Sequence, residues 1–85
     1  MTTICYNPTL IGNILLLKPQ KLLKTQNRHI KKCLNPIDSV IEWTIDWDDP
    51  DRIIRIVLSV SPEQISNQII DCLREKAIYT VIFQD

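Results

Sequence analysis

Glycine is nearly absent from this sequence, with one residue among 85, and aromatic side chains make up only 6% of it. Gly12 alone cannot form a glycine-rich phosphate loop, and the single histidine, His29, leaves no acid–base pair or Ser/His/Asp arrangement to assemble. Neither an enzyme nor a bound cofactor is expected. Long apolar runs are missing too: residues 14–17 end at Lys18, against the roughly 20 residues that cross a bilayer. Residues 1–12 lack the basic start, apolar stretch and small-residue cleavage site of a secretory signal, so export is not expected. Cys5, Cys33 and Cys72 are odd in number and widely spaced, with no Cys-x-x-Cys pair, which favours a reducing cytoplasm over a disulfide framework. Acid is lacking from the whole first part of the chain. Before Asn35 every charged residue is basic (Lys18, Lys21, Lys24, Arg28, Lys31, Lys32), whereas all 10 acids follow it beside Arg52, Arg55, Arg74 and Lys76. Net charge is zero, but its distribution can orient the chain toward a charged partner or a second copy.

What is present suits one small domain. A chain of this length buries a single modest core, and its 45% hydrophobic content is that of a globular protein. Residues 52–60 (RIIRIVLSV) are a dense β-branched run that reads as a buried central strand. Ser61, Pro62 and Gln64 then supply an N-cap, a proline at the first helical position and a capping box, so a helix starts there. Its apolar residues Ile65, Ile69, Cys72 and Leu73 form one stripe. Residues 78–83 (IYTVIF) return to β-branched and aromatic types and read as a closing strand.

The first half repeats this grammar more faintly. Residues 14–18 form a short strand broken by Pro19, and a helix from about residue 22 or 25 ends at Asn35-Pro36. On a helical wheel Leu23, Ile30, Cys33 and Leu34 cluster opposite Lys21, Lys24, Arg28, Lys31 and Lys32. Residues 40–47 (VIEWTIDW) are a strand of period 2, and the turn 48–51 (DDPD) joins it to the run at 52 as a hairpin. The expected architecture is an α+β, ferredoxin-like βαββαβ sandwich over residues 13–85: a four-stranded antiparallel sheet with two helices on one face. Residues 1–12 form an N-terminal extension.

From Ile14 onward the chain resembles the heavy-metal-associated domains, the ferredoxin-like modules of copper chaperones and metal-transporting ATPases, especially small stand-alone bacterial versions. The resemblance is carried by the helix ending Cys33-Leu34-Asn35, by Trp43 and Asp46 in the second strand, by the turn through Asp49-Pro50-Asp51, and by the capped second helix. Metal-binding members carry Cys-x-x-Cys after the first strand, where two thiolates hold a soft cation. Those positions fall here on Leu23 and Gln26, so the resemblance implies the fold without the family's metal loop.

The candidate sites follow from that reading. Cys33 and Cys72 are expected as small buried packing residues, the competing reading pairing them as metal ligands or a redox switch. His29 stands beside the basic face without an evident partner and is a further metal candidate. Asp46, Asp48, Asp49 and Asp51 superficially suggest a calcium loop, but the required glycine and distant bidentate glutamate are missing, which leaves a solvated turn. Nucleic-acid readers of this fold need aromatics on the open sheet, and residues 53–60 contain none. The expected function is a non-catalytic interaction module docking through Lys21, Lys24, Arg28, Lys31 and Lys32, with a protein partner or self-association. The alternatives are a copper or zinc protein with unorthodox ligands and a nucleic-acid-binding or regulatory domain.

Overall fold

The computed structural model describes residues 13–83; the extension expected at residues 1–12 lies outside them, as do residues 84 and 85. Strand β1 (Ile14–Pro19) is followed by a 3-10 turn (Lys24–Gln26), helix α1 (Asn27–Leu34), strands β2 (Val40–Ile45) and β3 (Ile54–Leu58), helix α2 (Pro62–Glu75) and strand β4 (Thr80–Ile82). The four strands form one sheet in the order β2-β3-β1-β4, every pairing antiparallel.

Alternation decides which face is buried. Leu15 and Leu17 of β1 and Ile54, Ile56 and Leu58 of β3 point into the core, while Lys18 and Arg55 point to water. The inward residues meet Ile30 and Leu34 of α1 and Ile65, Ile69 and Leu73 of α2 in one cluster, so both helices lie on the same face of the sheet. β3 is therefore central but not buried on both faces as its composition suggests, because Arg55 and the half-buried Val57 line the open side. Pro19 sits at the end of β1, where that strand pairs only with β4, and its missing N–H costs no bond to β3. At one edge of the sheet, β2 is broken by a bulge between Val40 and Glu42, an irregularity that discourages a further strand.

Several boundaries differ from expectation for local reasons. The first helix does not begin near residue 22: its α-helical part starts at Asn27 after a single 3-10 turn. Leu23 is consequently not on the core stripe but 48% exposed, and Leu22 is buried in its place. β2 ends at Ile45, and Trp47 belongs to the turn that follows rather than to the strand. β3 begins at Ile54 because Arg52 adopts a positive φ of 49°, which no extended strand accommodates. Ser61 does occupy the extended N-cap position before Pro62, but its side chain makes no capping bond; the Gln64 N–H donates to the Ser61 carbonyl at 3.0 Å instead. β4 is only three residues long, and Ile78, expected in it, is fully buried just before it.

Helix α2 ends in a Schellman motif. The Ile78 N–H donates to the Leu73 carbonyl at 2.9 Å and the Ala77 N–H to the Arg74 carbonyl at 2.9 Å, with Ala77 at φ 63° between them. Ile78 is thereby turned into the core, which fixes where β4 starts.

Candidate docking surface and the cysteine pair

Helix α1 has little local reason to be a helix. It is eight residues long, its first turn contains no acid and its N-cap position no side-chain bond. Helices this short are marginal in water, so tertiary packing of Ile30, Cys33 and Leu34 holds it in place. The 3-10 turn before it is tied by the Leu23 N–H donating to Gln26 Oε1 at 2.8 Å, with the Gln26 N–H returning to the Leu23 carbonyl at 2.9 Å.

The burial that seats α1 turns its opposite side to water. Lys24, Arg28, Lys31 and Lys32 are all exposed, as is Lys21 ahead of the turn. Arg28, Lys31 and Lys32 share one helical face, and Lys24 stands four residues before Arg28. The three ion pairs among the described residues are Lys18 with Asp51, Arg55 with Glu42 and Arg74 with Asp71, so none of these five cations is neutralised by a carboxylate there. Arg28, the second residue of α1, also stands where the helix presents its own partial positive charge, an arrangement that disfavours the fold slightly.

Cys33 and Cys72, expected as unpaired packing residues, are joined in a disulfide with a Cα–Cα distance of 5.9 Å, inside the range that such a bridge requires. Each cysteine lies on the apolar side of its helix, and the two helices lie side by side on one face of the sheet, so the sulfurs meet. Cys33 is 4% exposed, whereas Cys72 is only partly buried. No spacing motif announces a pair 39 residues apart; two matching helix stripes, Ile30-x-x-Cys33-Leu34 and Ile69-x-x-Cys72-Leu73, were the available signal.

The third metal candidate does not join them. His29 is half-buried, with its Nδ1 lacking a hydrogen-bond partner among the described residues, and no group of three His, Cys, Asp or Glu side chains there is placed to hold a metal ion. In the acidic turn the Asp51 N–H donates to Asp49 Oδ1 at 3.1 Å, a bond of a tight turn rather than of a ligand cage.

The same turn is tied back to the segment after β1 through a residue that sequence reasoning passed over. The Arg52 guanidinium lies 5.5 Å from the centre of the Trp47 ring and donates to the Leu22 carbonyl. Trp43 does not stand on the open sheet: it pairs across from Ile56 on the core side, and its Nε1 donates to Asn35 Oδ1 at 3.0 Å. No helix among the described residues is long and apolar enough to cross a membrane.

With this geometry in view, comparison with known proteins adds no relative, because no family model, curated protein or solved structure matches the chain.

Proposed function

We propose that this chain is a ferredoxin-like domain, akin to the heavy-metal-associated modules but without their metal loop, that docks non-catalytically onto an acidic protein surface through helix α1. The element order β1-α1-β2-β3-α2-β4 and a sheet with β1 and β3 at its centre support the fold reading. Leu23 and Gln26 at the ligand positions, neither a ligand for soft metals, favour recognition over cargo.

The observation that carries the reading is the unpaired basic face. Lys21, Lys24, Arg28, Lys31 and Lys32 give the fold no ion pair among the described residues, and Arg28 opposes the helix dipole, yet all are exposed, three of them on one face of α1. Such a patch raises the encounter rate with an oppositely charged partner and selects against basic ones. The cytoplasm is the compartment proposed for this role; there the Cys33–Cys72 bond would be reversible rather than permanent.

Titration with a polyglutamate peptide tests the reading. Binding should weaken as salt rises, because surface charges are screened over about 10 Å near 0.1 M salt. Reversal of Lys24, Arg28 and Lys31 to Glu should abolish it while circular dichroism stays unchanged. A triple variant that binds with the original affinity and salt response would show the face to be merely solvated. Tighter binding to generic RNA than to the acidic peptide would move the partner to nucleic acid.

A further inference from the structure

We infer that the Cys33–Cys72 disulfide is a thiol-exchange site whose opening loosens helix α1, so that a cellular dithiol controls how the basic face is presented. The exchange chemistry stands on the cysteine pair itself; the link to docking rests on the function proposed above.

Three observations converge on this. The bond joins the last turn of α1 to the C-terminal half of α2, and so ties the weaker helix to the stronger one. Helix α2 has 14 residues, a proline at its start, Glu63 in its first turn and Arg74 in its last. Helix α1 has eight residues, Lys31 and Lys32 in its last turn and no acid in its first, and neither helix has a side-chain cap bond, so length and the N-terminal turn make α1 the weaker. Loss of the tether therefore acts unequally on the two helices. Finally, the two cysteines differ in exposure: Cys33 is 4% exposed and Cys72 is partly open, which makes Cys72 the residue an incoming thiolate meets first.

The reaction balances with a dithiol as reductant. Its thiolate attacks Cys72 Sγ, forming a mixed disulfide as the Cys33–Cys72 bond breaks and Cys33 leaves as a thiolate that takes up a proton. The second thiol of the reductant then attacks the mixed disulfide and releases Cys72 as a thiol. Two electrons and two protons pass to the protein, which gains two thiols, and the reductant becomes a cyclic disulfide. Reoxidation by a disulfide of the same class reverses each step.

Released, α1 retains the packing of Ile30, Cys33 and Leu34 against the core and the Trp43 Nε1 bond to Asn35 Oδ1 at its C-cap. Its carbonyl bond from Asn35 and the 3-10 turn before it do not connect it to α2. Lys24, Arg28, Lys31 and Lys32 ride on this segment, so a loosened α1 presents the same charges without a fixed spacing.

The experiment compares the oxidised full chain with the same protein held in dithiothreitol. Thiol titration should rise by two per chain on reduction, and a mixed disulfide trapped when excess glutathione is added to the oxidised protein should map to Cys72 rather than Cys33. Amide exchange should be comparable at Ile30 and Ile56 in the oxidised protein, whereas in the reduced protein Ile30 should exchange at least tenfold faster than Ile56. Polyglutamate binding should fall at least fivefold on reduction. An unchanged thiol count, a trapped mixed disulfide on Cys33, or equal protection of Ile30 and Ile56 after reduction would overturn the switch. If polyglutamate binds neither form while thiols and amide exchange respond as expected, the docking reading fails and the exchange site stands.

Discussion

Cutting the bridge between the helices should cost this fold much of its stability. The bond closes a segment with a sequence separation of 39 residues. In the chain-entropy treatment, a loop of this size constrains the unfolded chain by about 13 cal/mol/K, or about 4 kcal/mol at 25 °C. If the cysteines were packing residues alone, each change to Ala would cost roughly 1–2 kcal/mol through lost contacts and a small cavity. The two accounts differ enough to separate. Urea unfolding of the oxidised and dithiothreitol-reduced protein, followed by Trp43 and Trp47 fluorescence, should give a difference of about 4 kcal/mol, with a steeper denaturant dependence for the reduced chain because its unfolded state expands. For a domain of this size the thermal midpoint should drop by roughly 15–30 °C. The double variant Cys33→Ala, Cys72→Ala should unfold identically with and without reductant. Oxidised and reduced wild-type stabilities within about 1 kcal/mol of each other would refute the loop-entropy reasoning and return the pair to a packing role.

The remaining predictions concern the backbone and residues 23 and 26. Ala77 occupies a left-handed conformation at φ 63° in the Schellman motif, so Ala77→Gly should stabilise the protein by about 0.5–1 kcal/mol in thermal melts, and a loss of stability would contradict the cap. Arg52 combines φ 49° with its contacts to Trp47 and the Leu22 carbonyl. Arg52→Ala should therefore cost about 1–2 kcal/mol, and Arg52→Gly about 0.5–1 kcal/mol less than that because glycine tolerates the dihedral; equal costs would remove the strain from the account. Residues 23 and 26 bracket a 3-10 turn, in which side chains three apart eclipse, so Leu23→Cys with Gln26→Cys should confer one-to-one Cu(I) binding. The reduced wild-type protein should hold Cu(I) no better than an unrelated protein with three buried thiols, and a wild-type complex that survives a strong chelator would sink this expectation.

Local chemistry decided more of this protein than its length suggests. The β-branched run at 52–60, the period of 2 in residues 40–47 and the Pro62 start of α2 each act within a few residues, so the element order, the α+β class and the antiparallel hairpin from β2 to β3 were legible from side-chain type and spacing. The basic face of α1 was legible too, since exposure follows from the stripe opposite it. Tertiary structure decided the rest. Whether Cys33 meets Cys72 depends on where two helices sit on one sheet face, a relation that local spacing does not encode. Likewise the shortening of α1 to Asn27–Leu34, with Leu22 buried and Leu23 exposed, reflects how the segment after Pro19 reaches the core. The positive φ of Arg52 belongs with a guanidinium that spans from Trp47 to the Leu22 carbonyl, 30 residues away in the chain. Periodicity reports which side of an element is apolar; only packing brings the side chains of separate elements together.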